Sequence, residues 1–409
     1  MQHTHDTLLK ARAARVLPNG MYGHQSVKML PPNAPQFFSR ADGAYLWDYD
    51  GNRYLDFMCG YGPNLFGYGH AAINAAYVEQ LQRVDAATGP SALIVDLAEA
   101  FTTMVSHSDW AIFCKNGSDA TSMALLIARA YRGRSKVLLA RGAYHGSAPW
   151  NTPLEAGTVP EDRAHFLYYR YNDTESLRAA VAEAGDELAA IFASPFKHDV
   201  LVDQELPTLE FARAAREICD QQDALLVIDD VRAGFRVERE SSWHSLGVAP
   251  DLSCWGKAIA NGHPLSCLLG SDRARDAAAS VYVTGSFWFA AAAMAASLKT
   301  LELIRDTDYL EQTIRLGQML RDGLTEIGGR HGLPISQTGP VQMPLVMFNG
   351  ADGKRDLKLG AAFADGMIKG GAYFHPFHNM FISAAMTPAD IEQTLTTADA
   401  VARSLPAIA

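Results

Sequence analysis

The sequence predicts an α/β protein built on a mainly parallel sheet flanked by helices, with a smaller α+β domain beside it. Three observations predict this. Short apolar runs punctuate the middle of the 409-residue chain, helical patterns separate them, and chemically capable residues follow the runs directly.

In chain order, "AIFC" (111–114) leads into the helical "SDATSMALLIARAY", and "KVLLA" (136–140) follows it. "AAIFA" (189–193) precedes a helical segment spanning 206–221. "ALLVI" (224–228), "LSCW" (252–255) and "SCLLG" (266–270) complete the series. The flanks differ. "GAYLWDYDGNRYLDF" (43–57) alternates and turns at Asp50-Gly51, a hairpin signal. Beyond about residue 305, helical patterns surround two strand candidates, "PLVMF" and "MFISAA". The expected division is 1–50 as the first part of a small domain, 51–304 as the large domain, and 305–409 as the remainder of the small one.

Bulk composition narrows the function. Hydrophobic residues make up 48% and charged residues 20%, a globular mixture. The net charge of −10 argues against a nucleic-acid or anionic-membrane partner. Five scattered cysteines without a C-x-x-C pair read as reduced thiols. The N-terminal stretch reads as a short helix ending before Pro18, without a signal peptide's apolar core, and no run is long enough to span a membrane. A cytoplasmic location is expected.

In a parallel α/β sheet, ligands bind beyond the carboxyl ends of the strands. Four such tips hold Lys115-Asn116-Gly117-Ser118, the segment 141–146 with Tyr144 and His145, Asp229-Asp230, and Gly256-Lys257. Gly117 and Ser118 open a helix whose free N–H groups can hold a phosphate, although Ser118 is also a plausible N-cap with Asp119 favouring the dipole. Asp229 ends a buried strand and needs a cationic partner, which a protonated pyridine nitrogen, Arg232 or Arg236 can supply. Tyr144 can lie flat on a planar ring. His145 suits either acid–base work or a structural hydrogen bond. Lys257, between an apolar run and a glycine turn, is placed to lose its proton and form an imine. Together these are the requirements of pyridoxal 5′-phosphate (PLP).

Other site types fit poorly. "GYGPNLFGYGH" (60–70) is not G-x-G-x-x-G, no P-loop or G-x-S-x-G elbow occurs, and His375 and His378 lack further ligands for a metal set.

The motifs "NGSDATSMALLIAR", "GAYHG", "LLVIDDVRAGFR", "WGKAIANG", "TGSFWFAAAAMAAS" and "FISAAMTPADIEQTL", together with the two flanking stretches quoted above, resemble the class III aminotransferases of PLP fold type I. The glutamate-1-semialdehyde aminomutase branch is the most similar, and the resemblance runs almost end to end. It implies that Lys257 carries the cofactor as an internal aldimine and that Asp229 pairs with the ring nitrogen. It also implies that Val231 packs on the ring face opposite Tyr144, and that Gly117 and Ser118 hold the phosphate, with His145 beside them. Ser286, or failing it Thr284, would reach the phosphate of a partner subunit, which implies a homodimer with shared sites.

Two departures bear on substrate. The arginine expected in the phrase "PNGMYGHQS" is Ser26, and the glutamate expected near the last strand is His378. Tyr22, His24, Tyr61, Phe287, Trp288 and His378 would make a more aromatic, less cationic pocket, unless they are ordinary core. The expected activity is transfer of an amino group from an amine or a β- or ω-amino acid to a keto acid by a ping-pong route. The competing readings are an aminomutase or racemase on the same cofactor, and a non-catalytic descendant of the fold.

Overall fold

The computed structural model describes residues 4–26 and 30–405. Two compact units divide the chain, one made of residues 1–70, 200–203 and 308–409, the other of 71–199 and 204–307.

The first unit begins with α1 (Thr4–Val16), then β1 (Phe38–Asp42), β2 (Tyr45–Asp48) and β3 (Arg53–Asp56). β2 and β3 form the hairpin expected around Asp50-Gly51, in antiparallel register with Trp47 opposite Arg53.

The second unit holds α2 (Ala71–Arg83), α3 (Leu93–Met104), β4 (Trp110–Cys114), α4 (Gly117–Arg132), β5 (Lys136–Ala140) and β6 (Phe166–Tyr169). It continues through α5 (Thr174–Ala184), β7 (Leu188–Ala193), α6 (Leu209–Gln221), β8 (Leu225–Asp229), β9 (Leu252–Trp255), β10 (Ser266–Gly270), α7 (Arg275–Ser280) and α8 (Ala291–Asp306). Its seven strands run in the order β4-β10-β9-β8-β7-β5-β6. The five from β9 to β6 are parallel, and β10 is antiparallel to both its neighbours. Side-chain alternation fills two cores at once. In β8, Leu225 and Val227 pack with Met123, Ala124 and Ile127 of α4, while Leu226 and Ile228 pack with Leu177 of α5 and Phe211 of α6. Both faces being covered, the strands read as unbroken apolar runs.

The chain returns to the first unit with α9 (Tyr309–His331), β11 (Ile335–Thr338), β12 (Leu345–Phe348), α10 (Leu357–Lys369), β13 (Ala372–Tyr373) and α11 (Pro388–Ser404). β13 adds in parallel to β3, giving the sheet β1-β2-β3-β13.

Three expectations need correction. β3 is hydrogen-bonded between β2 and β13, so residues 51–70 pack with the terminal unit rather than the large one. "MFISAA" is not a strand. Its N–H groups bond in turn to Pro344, Phe57, Gln342 and Leu65, so no single neighbour offers a continuous ladder. The helix expected from 206 starts at Leu209, because Thr208 accepts the Phe211 N–H at 3.2 Å and caps it there. β6 escaped the sequence reading altogether; its four residues have neither length nor alternation to mark them.

Candidate active site

Strands β9, β8, β7 and β5 are neighbours and parallel, so their carboxyl ends share one edge of the sheet. Lys257 follows β9 and opens a short turn, Lys257–Ala260. Its φ is +49°, a left-handed conformation that side-chain-bearing residues seldom adopt, and Gly256 before it lets the chain run tight against Ser266. Partial burial pushes the lysine's pKa down from 10.5 to about 8. Arg232 and Arg236 push the same way and Asp229 opposes them. Among the described residues, its Nζ has no hydrogen-bond or ion-pair partner.

Asp229 is the last residue of β8 and is buried. Its Oδ2 accepts from His145 Nδ1 at 2.7 Å and its Oδ1 accepts from the Val231 N–H at 3.2 Å. Of the two uses open to His145, the structural hydrogen bond is present: the ring is buried and orients the carboxylate, and the loop is held by Thr121 Oγ1 donating to the His145 carbonyl at 2.6 Å. His145 Nε2 is buried without a partner among the described residues. Arg232, on the turn after Asp229, donates from Nη1 to the His198 carbonyl at 3.2 Å. Tyr144, in the loop after β5, is 41% exposed, and partial burial pushes its pKa up.

Asn116, not Ser118, takes the N-cap position of α4, and Asp119 accepts the Asn116 N–H at 2.9 Å. Ser118 is thereby free of the capping role. Its Oγ accepts the Ser147 N–H at 3.1 Å and keeps its own proton to donate. The first helical bonds are made by the Asp119 and Ala120 N–H groups to Asn116, so the Gly117 and Ser118 amides come before them at the positive end of the helix. A Cβ on Gly117 would lie 2.7 Å from Val231 Cγ1. Gly117→Ala is therefore expected to displace Val231 and weaken cofactor retention about tenfold, read by fluorescence titration of the stripped protein with PLP.

Within the first unit, Tyr61 stands 4.0 Å from the His24 ring and 5.4 Å from the His378 ring, centre to centre. His375, unnoticed as a neighbour, is 6.4 Å from Tyr61, and burial pushes its pKa down to about 4. Among the described residues Tyr22 joins no ring cluster, and it is 65% exposed. In the second unit, Thr284, Ser286 and Phe287 are exposed on the loop before α8, and Trp288 is partly buried there. Sequence reading also missed the tip of β7, where His198 is buried with its Nδ1 unpartnered and Asp199 lies against Gly142. "SPFKHD" follows an apolar run just as the other tips do, so the same rule would have found it.

The sequence pattern of the aminotransferase class-III family matches residues 29–339. The chain belongs to the class-III aminotransferases. This aminotransferase is 56% identical over 391 residues to the aminopentol aminotransferase of Sphingopyxis macrogoltabida, covering 96% of this chain and 92% of that protein. It is 34% identical to a glutamate-1-semialdehyde 2,1-aminomutase of Thermus thermophilus, over 94% of this chain and 95% of the other. The solved PLP internal aldimine form of the Sphingopyxis sp. MTA144 FumI protein matches it with a TM-score of 0.96 at 55% identity, covering 98% of this chain and 96% of that one.

The fold is accordingly PLP fold type I, the enzyme is a PLP-dependent transaminase, and its cofactor is pyridoxal 5′-phosphate. The strand tips fit that group. They offer an unpartnered amine of lowered pKa, a carboxylate held by a histidine, and a helix start where the missing side chain of Gly117 leaves close approach possible.

Proposed function

We propose that this aminotransferase takes a carboxylate-free amine, of the aminopentol kind, as donor and a keto acid as acceptor. The similarity to the aminopentol enzyme over nearly the whole of both chains supports the donor. So does Ser26 in the place of the arginine that would hold a donor carboxylate. The His24, Tyr61 and His378 cluster of the first unit offers hydroxyl and imidazole groups, which suit an amine that carries hydroxyls better than one that carries charge.

The transamination itself rests on one observation, the partnerless Lys257 amine beside the Asp229–His145 pair. When bound, PLP supplies a protonated ring that takes up the electrons left when a proton departs from the donor's amine-bearing carbon. In this reading Lys257 anchors the cofactor covalently, and its freed Nζ accepts that proton and gives it back. Asp229, held in place by His145, keeps the ring nitrogen protonated. Tyr144 and Val231 cover the ring, and the amides of Gly117 and Ser118 with the Ser118 hydroxyl bind the phosphate. Because Lys257 must be uncharged to accept a proton, turnover is expected to rise with pH through a midpoint near 8.

A homodimer completes the reading, with Ser286 or Thr284 reaching the phosphate held by a second copy. Exposed Tyr282, Phe287, Val78 and Leu81 support a covered surface on this unit. Sedimentation equilibrium should return twice the 44.4 kDa chain mass; a monomer mass at working concentration refutes the shared site. No helix among the described residues is long and apolar enough to cross a membrane, and all five cysteines are buried free thiols, which supports a cytoplasmic location.

The deciding experiment is half-reaction spectroscopy on the holoenzyme with single donors: aminopentol, simple ω-amines, and β-amino acids. Bleaching of the visible band by aminopentol, restored by pyruvate or 2-oxoglutarate, supports the proposal. Conversion of an amine to its isomer without any acceptor replaces it with the mutase or racemase reading.

A further inference from the structure

The short turn that carries Lys257 has an unusual backbone. Lys257 has φ +49° and Asn261, which ends the turn, has φ +42°, so two side-chain-bearing residues of one turn sit in the left-handed region. Such conformations persist only where the surroundings impose them. The bonds inside the turn are long: the Ile259 N–H reaches the Gly256 carbonyl at 3.3 Å, and the Asn261 N–H reaches the Ala258 carbonyl at 3.3 Å. They hold the shape weakly, and firmer restraint comes from two helices of the same unit.

From α2, Asn74 Oδ1 accepts from His263 Nε2 at 3.1 Å, and the His263 ring stacks on Tyr77 at 4.3 Å between centres. From α8, Ser297 Oγ donates to the Ile259 carbonyl at 2.7 Å. The two restraints differ in kind. His263 lies past the end of the turn and is only partly buried. Ser297 grips the carbonyl two residues beyond Lys257, and both Ser297 and Ile259 are fully buried. A hydroxyl inside a helix commonly bonds back to its own helix, as Thr300 of α8 does to the Ala296 carbonyl at 2.8 Å. Ser297 reaches outward to the lysine turn instead. Were that donor removed, no water could replace it, and the Ile259 carbonyl would have to shift to find another partner.

We propose that Ser297 is a positioning residue for Lys257, its hydroxyl fixing the strained turn so that the amine is held in the geometry that imine formation needs. The inference rests on the reading that Lys257 anchors the cofactor. In that step the uncharged Nζ adds to the aldehyde carbon of PLP, and its two hydrogens leave with the aldehyde oxygen as water. A turn free to relax out of the left-handed region would swing the amine away from that carbon, while the ring and phosphate contacts stayed as they were.

The test is stopped-flow mixing of the full-length, cofactor-stripped protein with PLP, reading growth of the visible imine band, beside fluorescence titration with pyridoxamine 5′-phosphate. That second probe has the same ring and phosphate but no aldehyde, so it cannot bond covalently to Lys257. Ser297→Ala should slow imine formation about tenfold and leave pyridoxamine 5′-phosphate affinity within about twofold of wild type. Ser297→Thr, which keeps the hydroxyl, should restore the rate. If Ser297→Ala does not fold, Ser297→Cys, close in size and a weaker donor, carries the same comparison. An unchanged rate in the variant without the hydroxyl overturns the inference. An equal loss of pyridoxamine 5′-phosphate affinity also overturns it, because the damage would then be to the whole site. A threonine variant as slow as the alanine one overturns it as well, by making the effect one of packing. A visible band that still forms in Lys257→Ala removes the Lys257 reading itself, and this inference with it, whatever Ser297→Ala does.

Discussion

Lys257→Ala is expected to abolish the visible absorption band of the PLP-loaded protein and to lower turnover by at least about a thousandfold. No other described lysine sits just past a strand end with a partnerless amine in this cluster; Lys115, the nearest alternative by position, is at the tip of β4 beside the α4 cap. The loss should not come from unfolding. Folding lowers the Lys257 pKa from 10.5 to about 8, so the native state disfavours the ammonium form. That cost is present below pH 8 and fades as the pH rises to 10.5. Lys257→Met, which keeps the stem and removes the charge, is therefore expected to raise the Tm of the cofactor-free protein at pH 7, with the gain vanishing toward pH 10.5. A Tm that falls at pH 7 would contradict this sign. Turnover that survives in Lys257→Ala would dismiss the anchoring role.

Asp229→Asn is expected to cost about a hundredfold or more in turnover, because the ring nitrogen loses the carboxylate that keeps it charged. Asparagine has one acceptor oxygen where Asp229 accepts from both His145 Nδ1 and the Val231 N–H, so one of those two bonds is also lost. His145→Phe tests the histidine alone. It leaves the carboxylate in place with the Val231 N–H alone to hold it, and a smaller loss of about tenfold is expected. A second readout separates charge from geometry. Asp229 favours the Lys257 ammonium, so its removal should move the Lys257 midpoint below 8. Equal losses in Asp229→Asn and His145→Phe would show that geometry rather than charge dominates at this carboxylate.

The sequence carried the central sheet because its strands are covered on both faces, and such strands are legible as apolar runs wherever they fall. It also carried the tips. Once a run ends, the next two or three residues are fixed in space by the strand before them, so Lys257, Asp229 and Gly117 could be read directly from the order of letters. β6 and "MFISAA" went astray for the converse reason. One is too short to show a pattern, and the other gives its hydrogen bonds to three separate stretches, at 57, 65 and 342–344, that only the folded chain assembles.

What the sequence by itself determined, then, is the family's cofactor and where the candidate groups lie: a lysine just after β9, a carboxylate ending β8 and a helix start at Gly117. What only the tertiary structure decided is how those groups are tuned. That His145 serves Asp229, that Asn116 rather than Ser118 caps α4, and that Arg232 reaches the β7 tip beside His198 all depend on side chains from strands distant in sequence. Local propensity places a residue at the end of a strand. A pKa, by contrast, is set by burial and by charges a few ångströms away, and those neighbours exist only after the sheet has brought its tips together.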